Sequence, residues 1–159
     1  MNYLVLVRSF HTIVINGVTC VSRLGEREAQ RLKSFLLDEW RKDFLDERPA
    51  LHVMSPGGDQ GALCDSALTL VGCIGWGGIA LNAILAKEFT RIRNEFTQLV
   101  MERGGDTDIL ILFVPPDVQR AFLTAFGEDV LDTPLRINDD EHPTAIIVNC
   151  GSKTHLLFN

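Results

Sequence analysis

The apolar positions of this chain fall into two rhythms. Short, nearly continuous apolar runs occur at Tyr3–Val7, Ala50–Met54 and Ile109–Val114; the second predicts a strand and the third a buried strand. Thr12–Ile15 and Val18–Val21 flank Asn16-Gly17, the pairing that favours a type I′ hairpin turn. Ala145–Asn149 and His155–Phe158 flank Cys150–Thr154 and predict a second, C-terminal hairpin. Between these runs the spacing becomes helical. Ser22 is placed to cap a helix through about Leu45, in which Ala29, Leu32, Phe35, Leu36, Trp40 and Phe44 share one face. Glu26, Arg27, Lys33 and Arg41 take the other face. Gln60–Leu70 reads as a short helix and Val71–Trp76 as a buried strand or turn. A long helix is expected from Ile79 to Arg103, closed by Gly104-Gly105. Its seam is Leu85, Phe89, Ile92, Phe96 and Leu99, a candidate interface within the monomer or between subunits. Pro115-Pro116-Asp117 starts a further helix with Val118, Phe122, Leu123 and Phe126 inward, and Pro134–Ile137 reads as a short edge strand.

This alternation predicts an α/β fold, a single layered domain over residues 1–159. Its mixed sheet would carry an N-terminal hairpin, a long central helix and a C-terminal hairpin. A chain of 159 residues is long enough to build a core without disulfides or metals. The widely spaced Cys20, Cys64, Cys73 and Cys150 read as buried free thiols of a cytoplasmic protein. The start of the chain lacks a signal-peptide pattern. Ser66–Ala86 is uncharged and about long enough to span a bilayer, but four glycines interrupt it, so it is read as a buried segment of a soluble domain. The net charge of −6 and the lack of a basic stripe argue against direct nucleic-acid binding.

Candidate chemistry centres on Leu51–Asp59, where an apolar run ends in Ser55-Pro56-Gly57-Gly58. Gly57 and Gly58 are oxyanion-hole or anion-binding candidates, because backbone N–H groups in such a loop can face open space. Leu51–Met54 is expected as strand and Ser55–Gly58 as the turn beyond it. His52, Cys64 and Asp59 can be drawn as a thiol–imidazole–carboxylate set, but Cys64 lies among apolar residues and reads as structural. Asp139-Asp140-Glu141-His142 holds metal-ligand types, yet neighbouring side chains point apart and it reads as a solvated turn. His11 and His155 have no zinc-ligand spacing. No metal, cofactor or catalytic residue is assigned.

The order of elements from Ile13 to about Ala86 resembles the front half of Clp-type serine proteases and the related crotonase superfamily. The resemblance rests on Ile13–Gly17, the Gln30–Trp40 helix and Leu51–Gly58. It implies an oxyanion-hole role for Gly57 and Gly58 and a tendency to form rings. The resemblance places Ile79 where the proteases carry their serine, and no histidine lies between His52 and His142. The expectation is therefore a non-catalytic cytoplasmic protein that acts through an unidentified protein partner, with homo-oligomers allowed. The alternatives are a small hydrolase using the Ser-Pro-Gly-Gly loop, and an acidic inhibitor of a nucleic-acid-acting enzyme.

Overall fold

The structure, a computed structural model, describes residues 1–44, 48–56, 61–76, 79–84 and 108–159. Six strands form the main sheet: β1 (Tyr3–Val7), β4 (Leu51–Pro56), β5 (Ala80–Ile84), β6 (Ile109–Phe113), β7 (Ala145–Asn149) and β8 (Thr154–Phe158). Their order is β5-β4-β6-β1-β7-β8. The first four run parallel, and β7 and β8 add as an antiparallel edge. The layered α/β class, the mixed sheet and both hairpins are as the sequence implies.

Successive residues of β1 face opposite sides of the sheet, and both sides are dry. Tyr3, Val5 and Val7 join Leu51, Val53, Ile109 and Ile111 under helices α1 (Arg23–Arg41) and α2 (Gly61–Ile74). Leu4 and Leu6 join Met54, Leu110, Leu112 and Ile146 under α3 (Pro116–Asp129). The helices supply the faces read from their spacing. Ala29, Leu32, Leu36 and Trp40 of α1 are buried, as are Val118, Phe122, Leu123 and Phe126 of α3. Trp40 packs its ring 5.9 Å from that of Trp76.

The N-terminal hairpin of β2 (Thr12–Ile15) and β3 (Val18–Val21) forms its own two-stranded sheet. Asn16 and Gly17 both take positive φ, 51° and 78°, as a type I′ turn requires. Ile13, Val14, Ile15 and Val18 of this hairpin are exposed.

Several sequence expectations are corrected. Ser55 and Pro56 complete β4 rather than beginning a turn, because Ser55 and Pro56 pair with Ala83 and Ile84. Val71–Ile74 is the last turn of α2, since helical burial continues through Leu70 and Ile74. Ala80–Ile84, expected as the start of the long helix, is strand β5 paired in parallel with β4. The seam Leu85, Phe89, Ile92, Phe96 and Leu99 lies outside the described residues. Pro134–Ile137 forms no strand. Of the span Ser66–Ala86, Ser66–Ile74 lies in α2 and Ala80–Ile84 in β5, and among the described residues no helix is long and apolar enough to cross a membrane.

Candidate active site

From β1 the chain leaves toward β4 and crosses under α1, on one face of the sheet. From β6, the neighbour of β1, it leaves toward β7 through α3 on the opposite face. Connections that diverge in this way open a crevice beyond the carboxyl ends of the two strands, the usual ligand position in open α/β sheets. Arg8-Ser9-Phe10-His11 follows β1 directly into that crevice.

Arg8 is the charge at this position. Its backbone N–H donates to the Thr144 carbonyl at 3.0 Å. Its Nη1 donates to the Ser9 carbonyl at 2.9 Å and its Nη2 to Thr144 Oγ1 at 3.1 Å. Glu28 Oε2 of α1 stands 3.7 Å from Arg8 Nη2, and the two side chains keep 17% and 29% exposure respectively. The guanidinium is thus oriented from three sides yet remains open to solvent. The other Glu28 oxygen, Oε1, accepts the His11 backbone N–H at 2.8 Å. One carboxylate therefore ties together both ends of the loop.

His11 is oriented by the cap of α1. Ser22 Oγ accepts the Gly25 N–H at 3.1 Å and lies 3.1 Å from the His11 carbonyl and 2.6 Å from His11 Nδ1. The assignment that satisfies all three partners has the hydroxyl donate to the carbonyl and Nδ1–H donate to the hydroxyl. Nε2 then carries the lone pair and can accept a proton. This geometry needs a glycine at position 25, where a Cβ would come within 2.3 Å of the His11 carbonyl oxygen. Two further contacts seat the loop and strand β3 on α2. Phe10 N–H donates to Ser66 Oγ at 3.0 Å, and Val21 N–H to Asp65 Oδ2 at 2.7 Å.

The segment before β7 completes the rim. Ala145 pairs with Val7, so Thr144 and the exposed His142 lie at the same edge as Arg8. Arg120 of α3 holds this segment by donating to the carbonyls of Asn138 at 2.9 Å, Asp139 at 2.8 Å and Glu141.

Gly57 and Gly58 lie outside the described residues; β4, which leads to them, ends at this same edge. The drawn set of His52, Cys64 and Asp59 is not assembled. His52 is the second residue of β4, Cys64 sits in the first turn of α2 beyond the strand's other end, and Asp59 is outside the described residues. Among the described residues no three His, Cys, Asp or Glu side chains group to hold a metal, Asp139–His142 included. The sequence pattern gives no role to Arg8 or Glu28, weighs His11 only as a zinc ligand and reads Ser22 only as a helix cap. The signal present was an arginine immediately after a fully buried strand.

Solved structures match the chain almost end to end. A protein assigned as the phosphohistidine phosphatase SixA from Agrobacterium tumefaciens has a TM-score of 0.60 at 16% identity, covering 99% of this chain and 96% of that one. A mycobacterial glucosyl-3-phosphoglycerate phosphatase, in complex with inorganic phosphate, has a TM-score of 0.53 at 15% identity and covers 100% and 96%. The phosphoglycerate mutase of Plasmodium falciparum has a TM-score of 0.52 at 13% identity and covers 99% and 88%. The chain has the fold these proteins share. No family model and no curated sequence matches it.

This finding corrects the Clp/crotonase resemblance. That likeness covered about half the chain, Ile13 to about Ala86, with the Ser-Pro-Gly-Gly loop as its one specific motif, whereas these solved structures cover 99–100% of the chain. The expectation of a protein that acts only by binding a protein partner rested on that resemblance and falls with it.

Proposed function

We propose that this chain is a hydrolase of phosphorylated substrates, working in the crevice between β1 and β6. The observation that carries this reading is the placement of Arg8 and His11 at the switch point of a fold shared with phosphatases. Arg8 receives the phosphoryl oxygens. A guanidinium offers paired N–H donors matched to two oxygens of one phosphate, and its orientation is set in advance by Ser9 and Thr144. Water attacks phosphorus opposite the leaving atom, oxygen in a phosphate ester or nitrogen in phosphohistidine. His11 Nε2 takes a proton from the attacking water, and solvent supplies a proton to the leaving oxygen or nitrogen. The bond between phosphorus and the leaving atom breaks, giving inorganic phosphate and the dephosphorylated product. Arg8 offsets the charge that spreads over the phosphoryl oxygens in the transition state. We place this activity in a reducing compartment such as the cytoplasm, a reading supported by four cysteines that all remain free.

The test is release of inorganic phosphate from p-nitrophenyl phosphate, from phosphorylated sugars and from phosphohistidine peptides. Turnover above the buffer rate with at least one substrate class is expected. Tight phosphate binding without turnover of any of them would contradict the reading.

A further inference from the structure

Glu28 makes two contacts with opposite consequences. Through Oε1 it fixes the loop by accepting the His11 N–H at 2.8 Å. Through Oε2 it places a negative charge 3.7 Å from Arg8 Nη2, in a setting where the carboxylate is only 17% exposed. Fixing the loop needs an acceptor but not a charge, since a neutral amide oxygen accepts the same bond. Orienting Arg8 does not need the carboxylate either, because Ser9 O and Thr144 Oγ1 already hold the guanidinium. What the charge alone contributes is partial neutralisation of the group that receives phosphate.

We propose that Glu28 sets the affinity of the site for free phosphate, holding it low enough for product to leave. The inference rests on Arg8 being the phosphate-binding group of the proposed hydrolase. Phosphate near Arg8 meets the guanidinium and the carboxylate behind it together. Both sit in a partly dry environment where water screens neither fully. Ground-state binding of product is weakened by that carboxylate, and product release is a frequent limit on turnover. Glu28 is thus a positioning residue that acts through Arg8 and touches no reacting atom.

The test is calorimetric titration of inorganic phosphate into the wild type, Glu28→Gln and Glu28→Asp, with phosphate product inhibition measured alongside. Glu28→Gln keeps the acceptor for His11 and removes the charge. It is expected to bind phosphate about three- to tenfold more tightly, the scale of one partly screened charge, and to lower the inhibition constant by the same factor. Glu28→Asp keeps the charge and is expected to stay within about twofold of wild type, on the same scale. Glu28→Gln binding no tighter than wild type, with an intact melting transition, would overturn the inference. Equal tightening by Glu28→Asp would do the same, since the effect would then follow shape and not charge. Glu28→Ala deletes the same charge and replaces Glu28→Gln if that variant does not melt cooperatively. These outcomes separate from failure of the hydrolase reading. Wild type that binds phosphate but turns over nothing rejects the hydrolase and leaves the Glu28 comparison readable, while wild type that binds no phosphate rejects both.

Discussion

His11 shows how much of the site depends on groups that do no chemistry. Its Nδ1 is committed to Ser22 Oγ, and Ser22 in turn caps α1 through the Gly25 N–H. His11→Gln removes the proposed proton acceptor and leaves Arg8 in place. Turnover is expected to fall roughly 10²–10⁴-fold, with phosphate affinity within about threefold of wild type; steady-state kinetics and calorimetry check the split. Gly25 is the steric counterpart. A methyl group there meets the His11 carbonyl oxygen at 2.3 Å and Val21 Cγ1 at 2.7 Å. Gly25→Ala is expected to cost about 1–3 kcal/mol, the range for overpacking a tight site, and to lower turnover by displacing His11. Thermal melts and phosphate release measure the two effects. Cys150, away from the site, reports on the core instead. Burial pushes its thiol up to about 11. A raised pKa means that the folded state favours the neutral thiol, so the stability it contributes is complete below the unfolded pKa near 8.5. That contribution is lost as pH rises from there through about 11. Cys150→Ala is expected to flatten the decline of melting temperature across this alkaline window, and an unchanged decline would place its cause elsewhere.

At the scale of elements, α3 supports the site from the face opposite α1. Phe122 is buried against Leu4, Leu6 and Leu112 of the sheet. Phe122→Ala is expected to cost about 3–5 kcal/mol, read from denaturant titration, with loss of the Arg120 hold on the rim as a consequence. Much of this architecture was legible in the sequence because its signals are local. Asn16-Gly17 marks its turn by backbone preference alone, Ser22 marks the start of α1, and Pro115-Pro116 marks the start of α3. β5 was not legible. Ala80-Leu81-Asn82-Ala83-Ile84 has little β-branched content and leads into residues that suit a helix. Its strand state comes from pairing with β4, a tertiary contact that no local pattern announces. The site was not legible for a related reason. Arg8 meets Thr144 across 136 positions of sequence, and His11 meets Glu28 across 17. Gly57 and Gly58 carry a local signal, whereas Arg8 reads in the sequence as an ordinary charge ending an apolar run.

At the scale of the whole molecule, chain order in the sheet creates the place where the chemistry is proposed. β1 and β6 are neighbours whose onward connections diverge to opposite faces. The segment entering β7 closes the crevice from the third side, through the Thr144 contacts of Arg8. The molecule carries a net charge of −6, so attraction of an anionic substrate must come from a local group and not from the overall field. Arg8 is that group. The most direct measurement is kcat/KM for phosphate release by wild type and Arg8→Ala, compared under identical conditions and with matched melting curves. The account predicts a loss of about 10²-fold or more, the scale for removing a charged donor from a transition state. A folded Arg8→Ala variant with wild-type kcat/KM would contradict it.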